Sequence, residues 1–149
     1  MRSRSSRLAA AEIAQGTVDV DWYTYAVTFS NLATESSQTS SINIEADSDF
    51  QIMKTTAFAA IDLEAAPAVG IIQASVMLTD TGSGRNLMNQ AIPIPSLFGT
   101  GELPFILPEY KLLFARSVLA VTVTNLSANA QYQTLTLNFI GRKVFRDGH

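Results

Sequence analysis

Apolar and polar residues alternate with a period of two over several short stretches of the chain. The clearest run is Leu135-Thr136-Leu137-Asn138-Phe139, and this period is typical of a β-strand with one buried face. Similar stretches, rich in β-branched and aromatic residues, lie at 18–29, 42–44, 50–60, 71–78, 86–94, 117–126 and 132–145. The pattern predicts about eight strands and no helix after residue 16.

The remaining stretches are predicted to be connections: a polar loop at 31–41, a mixed connection at 61–70 and a loop-rich crossing at 96–110 that contains glycines and prolines. Strands with one polar face favour antiparallel pairing. Their number predicts an all-β fold, an antiparallel β-sandwich of the jelly-roll type. We expect a basic N-terminal arm at 1–16 and a sandwich domain at 17–149 that ends in a short basic tail.

The composition indicates a protein that is covered by a partner. Of the 149 residues, 47% are hydrophobic and only 15% are charged, against roughly 25% charged in an ordinary soluble domain. A surface poor in charge indicates a contact area. No apolar run reaches the length of roughly 18 residues that a membrane helix needs, so we expect a protein partner and no membrane. The chain has no cysteine, which excludes a disulfide framework and thiolate metal sites.

The charges are unevenly distributed. Residues 8–141 contain four bases and twelve acids, whereas both ends of the chain are basic. We expect the ends to dock on a negative surface, although exposed termini are also often simply solvated. In a jelly roll the two ends often lie close together, where they would form one positive patch. The candidate docking residues are Arg2, Arg4, Arg7, Arg142, Lys143 and Arg146.

The stretch Asp80-Thr81-Gly82-Ser83-Gly84-Arg85 has two interpretations. As architecture, Asp80, Gly82, Gly84 and Arg85 shape an exposed turn in which Asp80 bonds local backbone donors and the glycines matter more than the carboxylate. As chemistry, Asp-Thr-Gly-Ser resembles retroviral-type aspartic proteases, which supply one aspartate per subunit of a dimer. Phe139-Ile140-Gly141-Arg142 and a Gly99-Thr100-Gly101 flap would complete that resemblance. Thr79 departs from it, because the family places an apolar residue there. The turn is the favoured interpretation.

Other catalytic and metal-binding classes fit less well. The single histidine is His149, so neither a catalytic triad nor a histidine metal site can be built convincingly. The acids Glu45, Asp47 and Asp49 lack the EF-hand spacing and indicate an acidic turn. The chain is therefore expected to be no enzyme and to need no metal or other cofactor.

The N-terminal aromatic residues are a further candidate. Trp22, Tyr23 and Tyr25 could stack on a sugar or on single-stranded nucleic acid. A role in the core and in an interface is favoured, because the acidic body argues against nucleic acid as a partner.

The second half of the chain contains a set of turn and strand patterns at 76–88, 92–99, 103–108, 121–127 and 137–145, with motifs such as Ile92-Pro93-Ile94-Pro95. Taken together, these stretches resemble small capsid cement (decoration) proteins of tailed bacteriophages, and the resemblance covers roughly residues 50–145. It implies a virion protein on the outer capsid surface that clamps neighbouring capsomers, with the major capsid protein as its partner. A homodimer or homotrimer assembled in the host cytoplasm is also implied. The aspartic protease and a tail, neck or glycan-binding virion module remain the alternatives.

Overall fold

The computed structural model describes residues 18–61 and 71–146. In these residues the chain forms nine strands, one 3₁₀ turn at Ile94–Ser96 and no α-helix, which confirms the prediction of an all-β fold. The strands are β1 (Val18–Leu32), β2 (Ser37–Asn43), β3 (Asp49–Ile61), β4 (Ala74–Asp80), β5 (Arg85–Asn86), β6 (Ile92–Pro93), β7 (Phe105–Leu113), β8 (Val118–Asn125) and β9 (Tyr132–Arg146).

The strands form two sheets with antiparallel ladders. Sheet A has the order β1-β9-β3-β7, and sheet B has the order β2-β8-β4-β5, with β6 also paired to β4. The pairs β1·β9, β2·β8, β3·β7 and β4·β5 are nested, as in one long hairpin. Rolling this hairpin adds the pairs β3·β9 and β4·β8. This topology is that of a jelly roll.

The core lies between the inner faces of the two sheets. On β8 every second residue is buried, and the same alternation places the odd-numbered residues of β9 from Leu135 to Lys143 inside. Leu119 and Val121 of β8 and Leu137 and Phe139 of β9 are all almost completely inaccessible to solvent. Burying a side chain of this size contributes about 1.5–3 kcal/mol. The apolar side chains that this alternation places inside are therefore the main source of stability.

Two strands lie where the sequence predicts loops. β2 begins inside the predicted loop 31–41. Its outer face carries only polar residues, and two of them bond across to β8: Ser37 to Thr124 at 2.7 Å and Thr39 to Thr122 at 2.9 Å. β7 occupies part of the predicted crossing 96–110 and contains Pro108. β7 is the outermost strand of sheet A, and an edge strand tolerates a proline because one side of its backbone needs no partner.

The two ends of the described sandwich lie side by side. Val18, the first residue of β1, pairs with Arg146, the last residue of β9. This pairing confirms, for the described residues, the prediction that the two ends of the domain are close. The arm predicted at 1–16, with Arg2, Arg4 and Arg7, lies outside the described residues.

Candidate protein-binding site

The turn after β4 holds its aspartate in a structural position. Asp80 is buried, and its carboxylate accepts hydrogen bonds from the Gly82 N–H at 3.0 Å and the Ser83 hydroxyl at 3.3 Å. Thr81 donates its N–H and its hydroxyl to the carbonyl of Val118, at 2.9 and 2.8 Å. Gly84 has a φ of +70°, in the left-handed region that favours glycine. Each of these contacts fits the interpretation of the motif as a turn.

The other two pieces of the protease resemblance also have structural roles. A Cβ on Gly141 would lie 1.9 Å from the carbonyl oxygen of Gln51, because β3 approaches β9 closely at its bulge between Ile52 and Lys54. Gly99 donates its N–H to the Thr55 carbonyl at 3.2 Å and accepts the Ala57 N–H at 2.9 Å. Packing therefore explains the glycine of the supporting segment, and hydrogen bonds hold the 99–101 turn against β3.

The ammonium group of Lys143 is engaged within the chain. It lies 2.5 Å from Glu45 Oε2, 3.6 Å from Asp47 Oδ1 and 4.2 Å from the centroid of the Tyr23 ring. Burial lowers the pKa of Lys143, but the hydrogen bond to Glu45 and the charges of both carboxylates outweigh it and raise the pKa above its usual 10.5. This ammonium is therefore already paired within the chain, and docking by Lys143 stays a prediction.

The other predicted docking residues are only partly described. Arg142 lies on the outer face of sheet A, opposite Trp22 of β1, and its Nε donates to Gln51 Oε1 at 2.7 Å. Arg146 is the end of β9, and its side chain is outside the described residues. Docking by Arg142, Arg146 and the N-terminal arginines therefore stays a prediction.

An apolar surface crosses the outer face of sheet A. Five side chains from all four strands line an open depression of about 240 Å³, together with Lys54 and Gly141. We call these five residues the sheet A patch: Trp22, Met53, Ile106, Tyr110 and Ile140. Trp22 is 76% exposed and Ile106 is 67% exposed. Large apolar side chains grouped at this exposure indicate a surface that is covered by a partner.

The register of the strands explains how the patch forms. Ile140 lies opposite Lys54 of β3, and Lys54 lies opposite Ile106 of β7, so these three side chains follow one another across the sheet. The outer positions of β9 before Ile140 carry threonine and asparagine. An isoleucine on this polar side of an alternating strand is a signal that sequence reasoning missed. Trp22 was considered for an interface or the core, and the structure places it on the outer face.

The outer face of sheet B is chemically different. On β2, β4 and β8 it carries serine, threonine and other small or uncharged side chains, and several hydroxyl groups bond across neighbouring strands, such as Ser37 to Thr124 at 2.7 Å. Met77 is the largest apolar residue at these positions and is only partly exposed. The two faces of the sandwich therefore differ. Among the described strands, only the outer face of sheet A carries a cluster of exposed aromatic and aliphatic side chains.

A second open pocket, of about 490 Å³, lies between the turn after β4 and the turn after β7. We call it the turn pocket. One side of the pocket is lined by Asp80, Gly82 and Arg85. The residues on the other side include Lys111, Phe114 and Arg116. The predicted exposed turn therefore forms one wall of this pocket.

Among the described residues, no group of three or more histidine, cysteine, aspartate or glutamate side chains is arranged to hold a metal ion. No helix in the same part of the chain has the length and hydropathy needed to span a membrane.

Comparison with known proteins gives little further information. No protein-family model matches the chain, and no curated protein sequence matches it. Among solved structures the chain is similar to the crystal structure of dimeric latent PorU from Porphyromonas gingivalis, at 8% sequence identity and a TM-score of 0.28. This match covers 81% of the chain and 13% of PorU. A likeness this distant supports no statement about function, which therefore rests on the geometry of the surface.

Proposed function

We propose that this chain is a non-enzymatic virion structural protein, which binds the outer surface of a bacteriophage capsid and clamps neighbouring capsomers as a cement protein. The observation that carries the proposal is the sheet A patch, an apolar surface built from all four strands of one sheet of a jelly roll. Its partner in this proposal is the major capsid protein.

The rigidity of the surface supports this role. Trp22 of β1 and Ile140 of β9 are held by long ladders, since β9 pairs with β1 on one side and β3 on the other over most of its length. A surface that is already ordered loses little conformational entropy on binding. Aromatic residues such as Trp22 and Tyr110 are also the side chains most often enriched in the centre of protein interfaces.

The chemistry of the patch favours a protein over a glycan as its occupant. A sugar needs hydrogen-bonding groups that match its hydroxyls, in addition to an aromatic ring. The depression is lined mainly by apolar and aromatic side chains, and Lys54 is the only charged residue among those that line it. Tyr23 and Tyr25 are not free to help, because they pack edge-to-face against each other and against Phe50.

Attachment to capsids tests the proposal. Purified protein would be mixed with assembled shells of the virus that encodes it, and the bound fraction measured by co-sedimentation. We expect Trp22→Ser and Ile106→Ser each to weaken attachment by about tenfold, because each removes an apolar contact of roughly 1.5 kcal/mol. Leu126→Ser is the matched control: Leu126 is also exposed, at 56%, but lies outside the patch at the end of β8.

Three results would contradict the proposal. Wild-type attachment by both patch variants would exclude the patch as the docking surface. Absence of binding by the wild-type protein would exclude the cement role itself. A pepstatin-sensitive peptidase activity that disappears in Asp80→Ala would instead establish the aspartic protease.

The predicted arm and oligomer need separate measurements. Deletion of residues 1–16 should weaken attachment if Arg2, Arg4 and Arg7 dock on the shell, and unchanged attachment would exclude that contribution. Light scattering on the purified protein would test the predicted homodimer or homotrimer.

A further inference from the structure

The turn pocket concentrates positive charge on an acidic protein. Residues 8–141 contain only four bases, and three of them, Arg85, Lys111 and Arg116, line this one pocket. They come from separate parts of the chain: Arg85 begins β5, Lys111 is near the end of β7, and Arg116 lies in the turn that follows β7. The fold therefore brings them together although the sequence does not.

These cationic side chains have no partner among the described residues. Their charged groups make no ion pair and no hydrogen bond there; the ion pairs found belong to Lys143. The carboxylate that lines the same pocket, Asp80, accepts hydrogen bonds from its own turn. Three unpaired cations around an open cavity attract an anion, since their fields add within the cavity.

The backbone holds Arg116 at the pocket in a costly conformation. Its φ is +68°, which is uncommon for a residue other than glycine or asparagine. The Arg116 N–H donates to the Ile44 carbonyl at 3.0 Å, and the neighbouring Ala115 N–H donates to Asp49 Oδ1 at 2.9 Å. A strained residue that the surroundings fix in place is often part of a functional site.

The pocket also has an apolar wall. Phe114 is an exposed large hydrophobic side chain, and it lines the pocket beside Leu112 and Ala115. An occupant that matches this surface carries negative charges next to an apolar group. An acidic peptide segment with an aromatic or aliphatic residue has this combination, and carboxylates form charge-assisted hydrogen bonds with arginine and lysine.

We propose that the turn pocket binds an acidic peptide segment of a partner protein, with its carboxylates on Arg85, Lys111 and Arg116 and an apolar residue against Phe114. A nucleic acid is a poorer fit, because a long polyanion would extend from the pocket over a body that has twelve acids and four bases. The pocket does not overlap the sheet A patch in its lining residues. The proposal goes beyond capsid binding and does not depend on it.

Peptide binding by the isolated full-length protein tests the proposal. The probe is a fluorescein-labelled peptide of four glutamates around one phenylalanine, and the matched probe replaces each glutamate with glutamine. Fluorescence anisotropy would be measured in about 50 mM salt, where screening is weak. We expect the glutamate peptide to bind at least about tenfold more tightly than the glutamine peptide, since each lost charge contact costs a severalfold factor in affinity.

The variants are chosen to remove charge and keep the fold. Arg85→Gln and Lys111→Gln remove side chains that make no described contact, and Arg116→Asn places the residue that best tolerates the left-handed conformation. The triple variant should lose at least about tenfold in affinity for the glutamate peptide. Leu126→Ser, an exposed substitution outside both the turn pocket and the sheet A patch, should change the affinity less than about twofold.

Several results would overturn the proposal. Wild-type affinity in the correctly folded triple variant, or equal affinity for the two peptides, would show that the cations do not bind carboxylates. Tighter binding of a thymidine oligonucleotide of equal charge, lost in the triple variant, would assign the pocket to nucleic acid. Dissociation of an oligomer by the three substitutions, with peptide binding unchanged, would assign it to a second copy of the chain.

Discussion

The buried ammonium of Lys143 gives a direct test of the electrostatics of the sandwich. Its side chain is 9% exposed, whereas those of its partners Glu45 and Asp47 are 51% and 54% exposed. The perturbation is the double substitution Glu45→Gln with Asp47→Asn, compared with Lys143→Met. The two changes remove the same ion pairs but leave opposite partners behind.

The exposures predict which change costs more. Removing both negative charges leaves the buried ammonium with neutral amide oxygens and the Tyr23 ring at 4.2 Å as its partners, and a cation–π contact of this kind compensates about 1 kcal/mol. Breaking a fully buried pair costs about 3–5 kcal/mol, so we expect about 2–3 kcal/mol here, where the acids are half solvated. Lys143→Met leaves carboxylates that water can solvate and keeps an unbranched chain, and we expect about 1 kcal/mol or less.

Thermal and urea unfolding at pH 7, followed by circular dichroism, measure the difference. At about 3 °C per kcal/mol for a domain of this size, the acid double variant should melt about 6–9 °C below the wild type, and Lys143→Met about 3 °C or less below it. Adding Lys143→Met to the acid double variant should make it more stable, because the unpaired ammonium is then removed. A larger loss in Lys143→Met than in the double variant would refute the reasoning.

Three further predictions concern the backbone and the pH dependence. Gly141→Ala should destabilise the fold by about 3–4 kcal/mol, because the added Cβ would meet the Gln51 carbonyl. Gly101→Ala is the control and should not destabilise the fold, because the space around its Cβ is open. Equal melting temperatures of the two variants would contradict this. Gly84→Ala should cost about 1 kcal/mol in urea unfolding and Gly84→Asn less, because only the left-handed φ opposes the change; an equal cost would contradict it. Because the pKa of Lys143 is raised in the folded protein, its contribution to stability is complete below the unfolded pKa of about 10.4 and is lost as the pH rises through the higher folded pKa. The unfolding free energy of the wild type relative to Lys143→Met should therefore fall only above about pH 10. A difference that stays constant up to about pH 12 would contradict this.

The strands of the core are predictable from the sequence because burial imposes a period of two. β8 alternates over its whole length and β9 from Leu135 to Lys143, and the bounds of both strands lie within about two residues of the predicted ones. The end of β2 overlaps the strand predicted at 42–44, but residues 37–41 were predicted as a loop because this stretch contains only serine, threonine and glutamine. β7 was missed because a proline at a sheet edge has the same sequence signal as a proline in a turn.

The binding surfaces were only partly predictable. The role of Asp80 as an acceptor for its own turn follows from local turn chemistry and agrees with the structure. Lys143 pairs with Glu45, which lies 98 residues earlier in the chain, and no local sequence pattern joins the two. The turn pocket and the sheet A patch arise from strand register and from the approach of distant turns, which single-sequence patterns do not contain.

The most direct test of the central claim is the footprint of the protein on a capsid. Cryo-electron microscopy of shells saturated with the full-length protein would show which face of the jelly roll meets the capsomers. The account predicts that the sheet A patch, with Trp22 and Ile106, lies against the shell and that sheet B faces solvent. A decorated shell on which Trp22 and Ile106 face solvent would contradict it.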